Sequence, residues 1–144
     1  MQMGIPLKTT HTIRVRFNET DALGIVWHGN YIKYFEDGRE AFGREFNISY
    51  LDIKKQGYAT PIVSTETNHK LPLQFGDIAF VETTFVNHRA AKLVFKYSIK
   101  NENGSVVCTG ETTQVFTNLK TGEMSFTLPE FFKNWKLKHK LINA

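Results

Sequence analysis

The first half of the chain contains one long segment with the apolar spacing of a helix. From Tyr31 onward, apolar residues recur every three or four positions, which predicts an amphipathic helix of roughly four turns that ends near residue 46 or 47. The residues on this face are Tyr31, Tyr34, Phe35, Gly38, Phe42 and Phe46. Because most of them carry rings, the helix needs a large apolar partner surface.

Strand patterns occupy most of the remaining chain. Residues 11–17 alternate between apolar and basic side chains, which predicts a half-buried strand with Phe17 on its apolar face. β-Branched and aromatic residues predict further strands over 61–71, 78–87, 93–100, 105–117 and 123–127. Asn103-Gly104 predicts a hairpin with a type I′ turn, in which both central residues have positive φ.

Two shorter helices complete the predicted elements. Ser49 followed by Asp52 is typical of a capping box, and Gly57 of a helix stop, so residues 50–56 should form a short helix. Pro129 should open a terminal helix that continues to about residue 137.

One long helix with five or six antiparallel strands, and no β-α-β alternation, predicts an α+β domain whose sheet curls around the helix. A length of 144 residues fits a single domain over 1–144. Such a sheet leaves strand edges and an apolar flank uncovered, so we expect pairing with a second copy, as a homodimer or a homotetramer.

The stretch before the long helix carries the candidate chemistry. Asp21 lies in a glycine-bearing turn, and His28 follows seven residues later where the helix is expected to begin. The first turn of a helix leaves backbone N–H groups unpaired, and these stabilise negative charge that develops on a thioester oxygen under attack. Asp21 is therefore a candidate nucleophile or general base. An Asp in a loop before a helix is most often a turn former or cap, so this alternative stays open, and His28 can likewise be a histidine that is hydrogen-bonded for structural reasons.

Several residues of this stretch resemble the 4-hydroxybenzoyl-CoA thioesterase family of hotdog-fold proteins. They are Asp21, Gly24, Val26, His28, Tyr31, Phe35, Glu36 and Arg39. Segments 71–77, 121–122 and 128–130 extend the resemblance, which covers about residues 8–136. It implies a hotdog fold, with an antiparallel sheet wrapped around one long helix, and an acyl-CoA thioesterase activity. It also implies that Asp21 is the catalytic carboxylate and that the backbone N–H of His28 polarises the thioester carbonyl.

The remaining candidate residues concern substrate binding. Five of them lie between the two catalytic candidates or just after them in the sequence, namely Gly24, Val26, Trp27, Asn30 and Tyr31. The segment between two predicted strands, residues 87–92, presents two cations, Arg89 and Lys92, that could bind the phosphates of coenzyme A. A solvated hairpin would explain the same two cations.

The charge and residue composition limit the kinds of binding partner that we expect for this protein. A net charge of +4 is compatible with coenzyme A as well as with nucleic acid, but no nucleic-acid-binding motif accompanies it. We interpret the basic cluster at Lys133, Lys136, Lys138, His139 and Lys140 as the solvated face of the terminal helix. The single cysteine, Cys108, is expected to be buried and inert, and the five scattered histidines predict no metal site. No signal peptide or membrane span is evident, so we expect a cytoplasmic protein.

Absent motifs exclude other classes of enzyme. The chain has no Gly-x-Ser-x-Gly elbow, no Walker loop and no Gly-x-Gly-x-x-Gly, which are the signs of common serine hydrolases, nucleotidases and dehydrogenases. We therefore predict an acyl-CoA thioesterase that needs no cofactor beyond the coenzyme A of its substrate. The main alternative is a hotdog protein that binds an acyl thioester or acyl carrier without turnover, and a hotdog hydratase or dehydratase is a third.

Overall fold

The computed structural model describes residues 6–142, and the elements below are those of that range. The strands are β1 (Lys8–Arg14), β2 (Tyr58–Ala59), β3 (Ile62–His69), β4 (Ile78–Val86), β5 (Lys92–Asn101), β6 (Val106–Val115) and β7 (Thr117–Asn118). The α-helices are α1 (Tyr31–Phe46), α2 (Tyr50–Lys55) and α3 (Glu130–Lys138). Two short 3-10 helices, Phe17–Glu19 and His28–Asn30, lie between β1 and α1. None of the helices in the described range is long and apolar enough to cross a membrane.

Five strands form one antiparallel sheet in the order β1-β4-β5-β6-β3. β2 and β7 form a separate antiparallel pair. α1 packs against β1, β4 and β5, so the predicted α+β hotdog arrangement is confirmed. The order leaves β1 and β3 at the two edges of the sheet, and almost every residue of β3 is exposed.

The aromatic face of α1 meets the sheet as the spacing predicted. Phe35 stacks on Tyr97 of β5 with 4.5 Å between ring centroids, and Phe42 meets Phe95 edge-on at 5.2 Å. Gly38 lies where a Cβ atom would collide with side chains of β4, so a small residue is needed for α1 to approach the strand this closely. These contacts fix the direction of α1 and therefore the position of its first turn.

The helix ends follow the sequence signals closely. Asn47 ends α1 in the left-handed conformation, with φ of 58°. Ser49 and Asp52 form the predicted capping box at the start of α2, since each accepts a hydrogen bond from the backbone N–H of the other. The predicted starts of α1 and α2 and the predicted length of α1 are confirmed.

The first strand begins earlier than predicted and ends before Phe17. β1 pairs with β4 from Lys8 to Arg14, and the chain then turns into a 3-10 helix. The turn forms because the Arg16 backbone N–H donates to Glu19 Oε1 at 2.8 Å. Phe17 consequently rotates outward and is 75% exposed, so its predicted place on the buried face was wrong.

Two other predictions about the strands were wrong. At the β5–β6 hairpin, Gly104 has φ of 81° but Asn103 does not have a positive φ, so the turn is not type I′. The Asn101 side chain accepts backbone N–H groups of Asn103 and Ser105, which supports a longer turn that ends in the left-handed glycine. Residues 123–127 form no strand, because their ladder is limited to one bridge between Met124 and Thr117.

The terminal helix is less solvated than its basic residues suggested. Lys136 is 1% exposed, and its ammonium donates to the backbone carbonyl of His88 at 2.6 Å. Burial lowers the pKa of this lysine. Trp135 donates its indole N–H to the carbonyl of Phe46 at 2.7 Å. α3 therefore closes the end of the domain at which α1 finishes.

Candidate active site

Asp21 lies in a tight turn that its own atoms hold together. Its carbonyl accepts the Gly24 N–H at 2.9 Å, and Gly24 closes the turn with φ of 79°. Its Oδ1 accepts the Leu23 N–H at 2.9 Å, which is the cap that one interpretation of the sequence predicted. Its Oδ2 has no hydrogen-bond partner within residues 6–142 and can therefore interact with a bound molecule.

Backbone hydrogen bonds hold this loop against the rest of the protein. Val26 donates to the Leu73 carbonyl at 2.8 Å, and Trp27 donates to the Glu19 carbonyl at 3.0 Å. Val26 is buried, but Leu23 is 80% and Trp27 50% exposed. The stretch from Leu23 to Trp27 is therefore packed through its backbone and Val26, whereas its two larger side chains are exposed.

The loop leads directly into the first turn of α1. The 3-10 helix His28–Asn30 continues into α1, with the Tyr31 N–H bonded to the His28 carbonyl. The backbone N–H groups of His28 and Gly29 have no acceptor within the described range. Asp21 and His28 thus belong to one small loop that carries both a carboxylate oxygen and two backbone donors without partners.

The buried carboxylate of Glu19, which was not among the predicted site residues, connects this loop to α1. Glu19 is only 8% exposed, and its Oε1 accepts the Arg16 N–H at 2.8 Å and the Tyr34 hydroxyl at 2.9 Å. Its backbone carbonyl also accepts the Asn30 side-chain amide at 2.8 Å. Burial raises the pKa of Tyr34, and the Glu19 hydrogen bond raises it further. Glu19 therefore joins the 3-10 helix before Asp21 to the first turns of α1.

A group of rings stands beside the helix start. The His28 ring lies 5.0 Å from Trp27 and 6.3 Å from His69, centroid to centroid, and His69 lies 5.1 Å from Tyr31. His69, at the end of edge strand β3, was not among the predicted site residues. Its Nδ1 is 3.9 Å from the sulfur of Cys108, which is buried. Burial raises the pKa of the Cys108 thiol to about 11, so a protonated thiol is expected at neutral pH.

The other predicted binding residues divide into two groups. Gly24, Val26, Asn30 and Tyr31 belong to the loop and the helix start, where each also has a structural role. Burial raises the pKa of Tyr31 to about 12. Arg89 and Lys92 come after the last residue of β4. The Asp21 loop contacts the segment that precedes the first residue of β4. A nine-residue strand spans roughly 26 Å between these ends. Within one protomer the structure does not bring the two cations to the loop.

The described residues include no group of three His, Cys, Asp or Glu side chains that could hold a metal ion. The loop itself presents a carboxylate, backbone dipoles and an imidazole ring. A carboxylate can attack a carbonyl carbon or deprotonate a water molecule, and unpaired N–H groups at a helix start can stabilise the oxyanion that results.

Comparisons with known proteins identify relatives over most of the chain. The family model described as "Thioesterase-like superfamily" matches residues 15–136. A Bacillus subtilis (strain 168) protein, YneP, named as a candidate acyl-CoA thioesterase, is 37% identical over 94 residues, which cover 65% of this chain and 68% of that protein.

Solved structures also resemble this chain over most of its length. The structure of DHNA-CoA thioesterase from Staphylococcus aureus superposes with a TM-score of 0.83 at 28% identity, covering 93% of this chain and 89% of that one. A mutant 4-hydroxybenzoyl-CoA thioesterase in complex with 4-hydroxybenzoyl-CoA has a TM-score of 0.76 at 19% identity, with coverages of 90% and 98%. The second likeness supports the fold alone.

Proposed function

Because the chain belongs to the thioesterase-like superfamily and is a thioester hydrolase, we propose that it hydrolyses acyl-CoA to a carboxylic acid and free coenzyme A. Asp21 is the catalytic carboxylate in this proposal, and the start of α1 at His28 polarises the thioester carbonyl. The observation that carries the proposal is the loop that joins the free Asp21 Oδ2 to two unpaired backbone N–H groups. The identification of the substrate as an acyl-CoA rests on the names of the relatives.

The proposed reaction begins with the thioester oxygen accepting hydrogen bonds from the His28 and Gly29 N–H groups. Asp21 either attacks the carbonyl carbon or removes a proton from the attacking water. The carbon–sulfur bond then breaks, and the sulfur leaves as a thiolate, which is a good leaving group. If Asp21 attacks, water hydrolyses the resulting anhydride. The helix dipole and the two amides favour the oxyanion without any further reorganisation.

Binding of coenzyme A is proposed to involve two subunits. Edge strand β3 is exposed along almost its whole length and can pair with β3 of a second copy. A two-fold axis would make this pairing antiparallel, so it would bring opposite ends of the two protomers together. Arg89 and Lys92 of one subunit would then approach the Asp21 loop of the other and could bind the coenzyme A phosphates.

Oligomeric state tests this arrangement directly. We expect light scattering at micromolar protein concentration to give a homodimer, or a tetramer built from two dimers, with the subunits joined through β3. Replacing Thr65 in the middle of β3 with proline should shift the protein towards monomer, because proline cannot donate to a ladder. A 16.6 kDa species for the unaltered chain would contradict the proposal.

The alternative function is a protein that binds an acyl thioester or an acyl carrier protein without hydrolysing it. The free Asp21 oxygen and the unpaired amides favour the enzyme. The deciding experiment is a thiol-release assay across a panel of acyl-CoA and acyl-carrier-protein thioesters of different chain length and aromaticity. We expect release from at least one acyl-CoA. Inactivity across the panel, with binding retained, would favour the alternative.

A further inference from the structure

A groove of about 740 Å³ lies along the free edge of β1, at the other edge of the sheet from β3. One wall is β1 with the residues that follow it, and the other is the first half of α1, which contributes Lys33, Tyr34 and Asp37. The volume is within the range of sites that hold small molecules. The groove belongs to a single protomer and does not use the edge at which two subunits are proposed to join.

A buried carboxylate lines this groove with one oxygen unpaired. Glu19 Oε1 accepts hydrogen bonds from the Arg16 N–H and the Tyr34 hydroxyl, but Oε2 accepts none within residues 6–142. Oε2 is not one of the unpaired side-chain atoms that are sealed from solvent, so it opens into the groove that Glu19 lines. A carboxylate oxygen at such depth favours a charged hydrogen-bond donor.

A second carboxylate, on Asp37, lines the same groove one helical turn after Tyr34. Partial burial raises the pKa of Asp37, the charge of His11 on β1 lowers it, and the negative charge of Glu19 raises it again. The two carboxylates are therefore close enough to influence each other. Since the described residues provide no group of three metal-ligating side chains, the cation that suits this pair is an ammonium group with its three N–H donors.

Cations line the groove without neutralising these carboxylates. They are Arg14, Arg16 and Lys33. The ion pairs within residues 6–142 involve other side chains, so neither the three cations nor the two carboxylates have ion-pair partners there. Basic side chains on an edge strand also discourage pairing with another sheet, but that role does not explain the carboxylates. Unpaired charges of both signs favour a ligand that carries both.

The free edge of β1 adds backbone hydrogen-bonding groups. Val15 directs its N–H and its carbonyl towards the segment before β4, where they bond to Asp77 at 2.8 Å and Gly76 at 3.0 Å. Alternate residues of a strand direct these groups to opposite sides, so those of Thr12 and Arg14 point to the open edge. Their N–H groups can bind a carboxylate together with the basic side chains.

Two exposed aromatic rings also line the groove. Phe17 and Phe75 are 75% and 62% exposed, and their rings meet edge-on with 5.7 Å between centroids. Neither ring is covered by the rest of the described chain. An apolar or aromatic group of a ligand would bury them.

We propose that this groove is a binding site for a free α-amino acid with an apolar or aromatic side chain. The ammonium group of the ligand donates to Glu19 Oε2 and Asp37, and its carboxylate is bound by the cations and the free backbone N–H groups. The side chain of the ligand packs against Phe17 and Phe75. The site is separate from the proposed thioester hydrolysis and does not depend on it.

Calorimetric titration with L-leucine, L-methionine, L-phenylalanine and L-tryptophan tests the class of ligand. We expect at least one of them to bind with a Kd of about 1 mM or tighter. Its N-acetyl derivative, which lacks the ammonium group, and the corresponding amine, which lacks the carboxylate, should each bind at least about 10-fold more weakly. Absence of binding by all four amino acids would overturn the proposal. Equal binding of the amino acid and either derivative would also overturn it.

Asp37→Asn and Glu45→Gln are matched variants on the surface of α1. Both residues are exposed, but only Asp37 lines the groove. Asp37→Asn should weaken binding of the best amino acid at least about 10-fold, because it removes one negative charge beside the ammonium group. Glu45→Gln should leave the Kd within about twofold. Circular dichroism and thermal unfolding check that both variants fold, and equal Kd values for the two would contradict the site.

Phe75→Ala and Phe126→Ala test the apolar part of the site in the same way. Both phenylalanines are exposed, and only Phe75 lines the groove. Phe75→Ala should weaken binding of the best amino acid by about threefold or more, the scale of one lost aromatic contact. Phe126→Ala should have no such effect. Unchanged binding in Phe75→Ala would show that the ligand side chain does not pack there.

Hydrogen exchange measured by mass spectrometry locates the bound amino acid without any substitution. At saturation, amides of residues 12–19 and 31–37 should be slowed by a larger factor than those of the β5–β6 hairpin. Absence of added protection in these two segments would overturn the assignment of the groove. The experiment contains no thioester, so its result is independent of whether Asp21 is catalytic.

Discussion

Replacing Asp21 with asparagine should lower kcat by at least about a hundredfold while KM changes much less. Asparagine keeps the oxygen that accepts the Leu23 N–H, so the turn should retain its shape. The substitution removes the negative charge and the basicity of the carboxylate, which both versions of the mechanism require. Steady-state kinetics on the best substrate of the thiol-release panel, with thermal unfolding as a check on folding, measure the effect.

His28→Ala is the matched comparison within the same loop. Alanine keeps the backbone N–H, so its kcat should fall less than that of Asp21→Asn. If Asp21 were only a cap, its loss would cost about 1 kcal/mol of stability and leave turnover largely intact. A folded Asp21→Asn variant with near-native turnover would therefore end the assignment of Asp21 as the catalytic carboxylate.

The sequence predicts local features of this protein well because their causes are local. The ring-bearing face of α1 spans four turns and has no competing period, and the Ser49–Asp52 capping box needs only two residues three positions apart. Asp21 and His28 could likewise be singled out because a short turn joins a carboxylate to a helix start. In each case the deciding interactions lie within a few residues of one another.

Errors arose where a side-chain hydrogen bond to the backbone overrides the alternation or turn pattern. Phe17 continues the alternation of β1, but the Glu19 carboxylate captures the Arg16 N–H and ends the strand. Asn103-Gly104 matches the pattern of a two-residue turn, yet the Asn101 side chain stabilises a longer one. Local propensity was outweighed by a single side-chain hydrogen bond in the first case and by two in the second.

The site contains two residues that no sequence pattern revealed. His69 approaches His28 only because β3 pairs with β6 at the edge of the sheet, and this pairing cannot be derived from spacing along the chain. Glu19 looked like an ordinary polar residue before the turn. Its only sequence signal was its position three residues after Arg16, a spacing that allows a side chain to cap a backbone N–H.

Glu19→Ala should destabilise the protein by about 3–6 kcal/mol, because two hydrogen bonds to a charged group contribute about 1.5–3 kcal/mol each and buried donors would lose their acceptor. The Arg16 N–H and the Tyr34 hydroxyl both donate to this carboxylate. Since these bonds join the segment before Asp21 to α1, kcat should fall as well, by about tenfold, as expected for a misplaced catalytic group. Denaturant unfolding at one fixed protein concentration, with steady-state kinetics, measures both effects.

Two variants determine whether the carboxylate acts through its hydrogen bonds. Glu19→Gln keeps an oxygen that can accept from Arg16 and Tyr34, so most of the stability and activity lost in Glu19→Ala should return. Glu102→Ala removes an exposed glutamate from the β5–β6 hairpin and should change the free energy of unfolding by less than about 0.5 kcal/mol. If Glu19→Ala were as stable and as active as Glu102→Ala, Glu19 would have no part in holding the Asp21 loop against α1. Loss of activity in Glu19→Gln with stability intact would instead assign its negative charge a direct role beside Asp21.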